Sequence, residues 1–278
     1  MARLLIFGLG YAASHLGARL AQAGWYVVGT SRGGRAGTLR FDDRDAVSAE
    51  IAAATHILSS VPPVDGVDPV LVGYGAAIAR SARWLGYLSS TGVYGDAAGG
   101  WVDEGAPITG RRPARNEADR GWLAIGARVF RLPGIYGPAR SALDRVRAGQ
   151  AHRVDLPAEV FSRVHVDDIA SGVIAGFDGP AGAYNLADDA PGSQNRVIEF
   201  AAALLGLPAP PFVALDTLSP MARGFYAENR RVATGKAKRV LGWTPRYPDY
   251  RAGLRALSAT TSPIPVNTAP PTASGDQR

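Results

Sequence analysis

The chain has 278 residues, a formal net charge of +6, 46% apolar residues and no cysteine. That length and composition suffice for a full hydrophobic core, whereas disulfides, thiolate nucleophiles and cysteine metal sites are excluded. No apolar run reaches eighteen residues and the N-terminus enters a strand straight after Arg3, so neither a membrane span nor a signal peptide is expected, and a cytoplasmic location is.

No two of His15, His56, His152 and His165 stand at metal-binding helical spacing, so no metal is expected. The cations are almost all arginine, with Lys236 and Lys238 the only lysines. They are dispersed, without a basic helix or interleaved aromatics, which argues against nucleic acid as a partner.

Leu4, Leu5, Ile6 and Phe7 form a short apolar run, as in a strand buried on both faces of a parallel sheet. Gly8-x-Gly10-x-x-Ala13 follows at once. Its spacing suits a dinucleotide-binding turn: a tight bend, a pyrophosphate approach free of side chains, and close packing of helix on strand. Tyr11, Ala12 and Ala13 open a helix in which Ala13, Leu16, Leu20 and Ala23 recur at helical spacing, and Gly24 offers a left-handed stop. The N-terminus of that helix is expected to face the phosphates, because unpaired N–H groups and the helix dipole favour an anion there.

A second strand runs from Trp25 to Thr30. An acid about twenty residues after the turn would select NAD through the ribose 2′-hydroxyl. Thr30-Ser31-Arg32 stands there instead, with Arg35 close behind, and hydroxyls with a guanidinium suit a 2′-phosphate. NADP is therefore expected ahead of NAD, although Arg32 and Arg35 also read as solvated loop cations.

The alternation continues with a strand near Thr38 to Phe41, a helix from Arg44, a strand Thr55 to Val61 and a helix around Val70 to Arg80. A strand Trp84 to Ser89, a helix near Arg115 to Ile125 and a strand Ala127 to Leu132 complete it. This rhythm predicts an α/β fold, a Rossmann doubly wound parallel sheet over residues 1–133. Beyond Pro133 short elements are separated by Gly and Pro, which predicts a smaller substrate-side α/β region over 134–260, interleaved with the Rossmann core. Residues 261–278 have few core-forming side chains and read as a disordered Pro-rich tail.

Four later segments follow in order: Tyr87-Leu-Ser-Ser-Thr-Gly-Val-Tyr-Gly95, Phe130-Arg-Leu-Pro-Gly-Ile-Tyr-Gly-Pro138, Val164-His-Val-Asp-Asp-Ile-Ala170 and Ala183-Tyr-Asn-Leu-Ala-Asp188. With Lys236 to Pro248 as a fifth, they resemble the extended short-chain dehydrogenase/reductases, the NAD(P)-dependent epimerase/dehydratase group. The resemblance implies a Rossmann domain that carries cofactor and catalytic residues, closed by a C-terminal region over a small-molecule substrate. It implies Ser90 as the catalytic hydroxyl, with Thr91 and Tyr94 beside it. Ser60 to Pro63, Pro62 included, matches the turn that passes the cofactor, and Pro133 with Ile135 the segment that lines the nicotinamide. Ser31 and Asp42 fall at the adenosine end, and a homodimer paired through two helices is plausible for such a chain.

Other readings stay open. Ser90 reads equally as a strand-end serine and Tyr94 as a structural residue. His165 reads as a substrate contact or as a packed residue ahead of a helix capped by Asp167.

The fingerprint departs from the family's Gly-x-x-Gly-x-x-Gly, and the family's Tyr-x-x-x-Lys is absent, since Val232 and Thr234 precede the two lysines by four residues. Arg111-x-x-x-Arg115 falls near the expected place. Arginine does not serve as a proton donor in proteins, so Arg111 does not replace the phenol, while Arg115 can hold a ribose. With Arg112 these residues also read as an anion site for a phosphorylated or carboxylated substrate, or as a solvated helix start. The expectation is an NADP-dependent reductase or epimerase of a small polar or nucleotide-sugar-like metabolite, with hydride transfer beside Ser90. The alternative is a non-enzymatic NADP-binding sensor.

Overall fold

Seven parallel strands form the central sheet of the computed structural model, which describes residues 1–35, 37–81, 84–156 and 159–261. The expected tail therefore lies outside the described residues, except for position 261. The strands are β1 (Arg3–Phe7), β2 (Tyr26–Ser31), β3 (Thr38–Arg40), β4 (His56–Ser59), β5 (Trp84–Ser90), β7 (Arg128–Leu132) and β11 (Gly182–Asn185). Three short parallel pairs lie outside this sheet: β6 (Trp101–Val102) with β13 (Arg231–Val232), β8 (Gly134–Tyr136) with β10 (Arg163–His165), and β9 (Arg153–Val154) with β12 (Phe212–Val213).

The sheet order is β11-β7-β5-β4-β1-β2-β3, so the winding reverses between β1 and β4. Ligands in such sheets bind outside the carboxyl ends of the strands at that reversal. There Gly8, at φ 79°, meets the turn after β4, and a Cβ at position 8 would lie 2.7 Å from Val61 Cγ2. Both turns are thus packed too closely for a side chain at Gly8.

Strand alternation sends neighbouring residues to two separate cores. Leu4 and Ile6 pack with Leu16 and Leu20 of α1 (Tyr11–Gln22) and with Ile169 and Val173 of α6 (Val166–Ala175). Leu5 and Phe7 pack against α2 (Arg44–Ala53), α3 (Pro69–Arg80) and α4 (Pro113–Ala124) through Val47, Ile51, Val70, Ile78 and Trp122. A third core joins α5 (Ala142–Arg147), α7 (Gln194–Leu204) and α10 (Tyr250–Thr261) through Leu143, Val146, Ile198 and Leu254. Two further helices, α8 (Pro220–Tyr226) and α9 (Gly235–Leu241), lie between α7 and α10 in the chain.

Strand β11 extends the central sheet beside β7 and α6 packs on α1, so elements from beyond residue 133 are interleaved with the sheet layer. One expectation changes. The cap of α6 is His165, not Asp167: its Nδ1 accepts a hydrogen bond from the Asp167 N–H at 3.2 Å. Among the described residues no helix is long and apolar enough to cross a membrane, and no three His, Asp or Glu side chains cluster to hold a metal ion.

Candidate functional site

A cleft of about 1350 Å³ opens at the carboxyl edge of the sheet. It gathers Ala12 after β1, Ser60 and Pro62 after β4, Ser90 and Thr91 after β5, and Pro133 and Ile135 after β7. Arg111 and Arg115 line it too.

The glycine turn bends as its spacing requires. Gly10 N–H bonds to the Gly8 carbonyl at 2.7 Å, Leu9 N–H to the Thr30 carbonyl at 3.0 Å and Gly8 N–H to Thr30 Oγ1 at 3.2 Å. Helix α1 starts at Gly10 with no side-chain cap, whereas Asp43, Asp68, Ser141 and Ser193 cap α2, α3, α5 and α7. Helices α4 and α9 likewise start without a side-chain cap. Ala13 is fully buried against the sheet, and Tyr11 leaves the turn sideways, its hydroxyl donating to the Pro138 carbonyl at 2.9 Å.

At the end of β2, Ser31 Oγ bonds to Thr38 Oγ1 at 2.8 Å and accepts from Arg35 N–H at 3.2 Å. The Arg35 guanidinium folds back onto the Leu9 carbonyl beside the glycine turn. Arg32 is exposed and has no hydrogen-bond or ion-pair partner among the described residues. Asp42 is also exposed but is tied to Arg40 by contacts of 3.0 and 2.7 Å, which lower its pKa.

Ser90 closes β5 and caps the 3₁₀ turn Thr91–Tyr94, its Oγ accepting from Gly92 N–H at 3.1 Å. Its own hydroxyl proton remains available toward the cleft. Thr91 is buried at its edge. Tyr94, expected beside them, does not line the cleft. Its hydroxyl donates to Asn185 Oδ1 at 2.7 Å and accepts from Arg131 at 3.0 Å, and burial raises its pKa. It is a strut of the buried network under the sheet edge. His165 also stands outside the lining, buried between the rings of Tyr136 and Tyr247 at 5.1 and 4.2 Å, and desolvation pushes its pKa down to about 4.

Arginine dominates the cleft in a way the sequence reading reached only in part. Arg112, Arg140 and Arg145 join Arg111 and Arg115 on its walls. Arg111 and Arg230 share Glu228, and Asp144 is taken up by the cap of α5. Arg115 is half-buried with no hydrogen bond or ion pair from its side chain among the described residues. Arg145 lines the cleft with no ion pair to a carboxylate among the described residues; desolvation by the surrounding protein lowers its pKa, with Tyr226 opposing the shift. No signal in the sequence marked Arg140 or Arg145, since each is one arginine among many in a loop or short helix.

No protein-family model matches the sequence. A functionally unknown conserved protein from Silicibacter pomeroyi is 42% identical, the alignment covering 94% of this chain and 99% of that one with a TM-score of 0.83. The chain belongs to the same family as that protein. Protein YeeZ of Escherichia coli is 28% identical over 90% of this chain and 97% of its own length. The 3-diazoavenalumate denitrifying reductase of a Streptomyces species is 29% identical, the match spanning 55% of this chain and 58% of the reductase.

The same Rossmann-like fold is seen in solved nucleotide-sugar epimerases and dehydratases at 20% identity or less. MoeE5, solved with UDP-glucuronic acid and NAD, has a TM-score of 0.74 at 20% identity, covering 94% of this chain and 99% of that one. Human epimerase family protein SDR39U1, solved with NADPH, has a TM-score of 0.71 at 15% identity, covering 92% and 99%.

Proposed function

We propose that this protein is an NADPH-dependent oxidoreductase of the reductase or epimerase type, acting on a small anionic metabolite beside Ser90. The observation that carries the reading is the convergence of Ala12, Ser60, Ser90 and Ile135 on one cleft at the winding reversal of the sheet. The fold likeness to proteins solved with NAD or NADPH and the partial match to a reductase support it.

The residues suit a dinucleotide. Gly8 and Gly10 leave a cradle that a Cβ at position 8 would fill, and α1 presents uncapped N–H groups above it. Arg35 and Arg32 at the end of β2 favour a 2′-phosphate over a free hydroxyl. Pro133 and Ile135 supply an apolar wall for the nicotinamide ring, which when bound supplies the hydride.

Ser90 would polarise the substrate by donating its free hydroxyl proton to an oxygen or nitrogen on the reacting group. No phenol–ammonium pair stands behind it, so the net proton comes from cleft water or the substrate. That choice forgoes roughly 10²–10⁴-fold of general-acid assistance. Arg115 and Arg145, both without a carboxylate partner, suit a carboxylate or phosphate on the substrate.

Parallel fluorescence titration with NADPH and NADH tests the cofactor, followed by a turnover screen of carboxylated and phosphorylated carbonyl compounds. NADPH binding with Ser90-dependent oxidation supports the reading. Failure of both nucleotides to bind overturns it, and tight binding without turnover of any compound favours the sensor.

A further inference from the structure

Arg111 falls near the place where the resemblance implies a proton-donating phenol, and its guanidinium is engaged with another part of the chain. Nε donates to Glu228 Oε1 at 2.9 Å and Nη2 to the Gly224 carbonyl at 2.5 Å. Glu228 is only 13% exposed and also accepts from Arg230 Nη1 at 2.8 Å. The same Arg230 nitrogen reaches the Gly95 carbonyl at 2.5 Å, just past the 3₁₀ turn that Ser90 caps.

These contacts join two halves of the molecule. Arg111 precedes α4 on the Rossmann side, next to Gly110, whose N–H bonds to the Val93 carbonyl at 2.8 Å. Gly224 lies in α8 and Glu228 in the loop just after it, and with Ser219 and Tyr226 they line the cleft beside Arg111. The outer face of α8 is exposed at Pro220 and Arg223, and no buried residue anchors that helix among those described. A Cβ at Gly224 would lie 2.9 Å from Arg111 Nη2 and 3.1 Å from Nη1, so an alanine there displaces the end of the guanidinium. The planar fork of the guanidinium presents its donors to one carboxylate and one carbonyl in a fixed geometry, which the flexible point charge of a lysine lacks.

We propose that Arg111 is a positioning residue, a latch that holds α8 and the following residues through Glu228 beside the cleft. This rests on the cleft being the reaction site, but the contact itself can be measured without any substrate.

The test uses the full chain with NADPH present, in Arg111→Ala, Arg111→Lys and Gly224→Ala. Tryptic cleavage after Arg223 is followed by mass spectrometry, and hydrogen exchange is followed in peptides spanning 219–227. The Arg111 side chain is 46% exposed, so its ion pair is screened by solvent, and its loss corresponds to roughly a fivefold faster cleavage and exchange in Arg111→Ala. Gly224→Ala moves both in the same direction with every charge intact, and Arg111→Lys falls between. Tm and NADPH affinity stay within about twofold of the parent chain's binding constant, as expected for a local opening.

Unchanged cleavage and exchange in Arg111→Ala and Gly224→Ala overturn the latch. Faster exchange spread equally through the β1–β5 peptides with a fallen Tm also overturns it, since Arg111 would then be a general stabiliser. Failure of the parent chain to bind NADPH would remove the proposed function while leaving the cleavage comparison readable.

Discussion

Asp119 and Arg131 form a fully buried, two-pronged ion pair beneath the strand that presents Ser90. Arg131 Nη2 donates to Asp119 Oδ1 at 2.7 Å and Nε to Oδ2 at 3.1 Å, while the Ser89 hydroxyl donates to the same Oδ2 at 2.6 Å. Removing one partner leaves an unpaired buried charge, so Asp119→Ala is expected to lower stability by about 3–5 kcal/mol. Urea unfolding at neutral pH measures this. A loss below 1 kcal/mol would mean that water reaches Arg131 in the variant.

Arg35 and Arg32 should set the choice between the two nicotinamide dinucleotides. A guanidinium on a 2′-phosphate contributes roughly 1.5–3 kcal/mol, so Arg35→Ala is expected to weaken NADPH about tenfold or more and leave NADH almost unchanged. The NADPH constant of the parent chain should also weaken with added salt, because both cations are exposed. Equal losses for both nucleotides would instead assign Arg35 to the shape of the glycine turn, through its bond to the Leu9 carbonyl.

Ser90→Ala tests the reacting centre once a substrate is found. Loss of one positioned donor typically costs about 10²–10³-fold in kcat, and NADPH affinity should hold. The variant loses the hydroxyl that accepts from Gly92 N–H, so a thermal melt is read alongside. A turnover equal to the parent's would move the chemistry away from Ser90.

His165 gives a pH dependence with a definite sign. Its pKa is held near 4 by burial first of all, with the charges of His15 and Arg246 adding to the effect and Asp167 opposing it. Between about pH 4 and its ordinary value of 6.5 the unfolded chain takes a proton that the folded chain refuses. This part of the stability is complete above 6.5 and lost as the pH falls toward 4. Protonated Nδ1 also no longer accepts the Asp167 N–H that starts α6. His165→Asn keeps an acceptor at that cap and does not titrate, so its urea midpoint should fall less than the parent's between pH 7.5 and 4.5. Parallel curves would assign the acid sensitivity to other groups.

The first half of the fold was legible because each element is coded locally. The run Leu4 to Phe7, Gly8, Gly10 and the spacing of Ala13, Leu16 and Leu20 place β1, the turn and α1 to within a residue or two. Strand β11 was harder. Gly182 to Asn185 looks like any short segment between Gly and Pro, and only pairing with β7 makes it part of the central sheet. Of the candidate residues, those at strand ends were readable, since a parallel sheet delivers them to one edge. Tyr94 was not, because its commitment to Asn185 and Arg131 arises from partners 91 and 37 residues away. The pairing of Arg111 with Glu228 spans 117 residues and left no periodic trace.

The bond from Tyr11 to the Pro138 carbonyl places two distant stretches of sequence under a common constraint. Gly137 lies against the Tyr11 hydroxyl, where a Cβ would approach it to 2.6 Å, and the Arg140 guanidinium lies 5.4 Å from the centre of the same ring. A side chain at 137 would meet both the Tyr11 hydroxyl and Val166 Cγ1 at 2.6 Å, so it is compatible with this backbone only if both give way, and a smaller residue at 11 leaves Arg140 without its platform. Positions 11, 137, 140 and 166 are therefore sterically coupled, and a change of size at one strains its neighbours in the set.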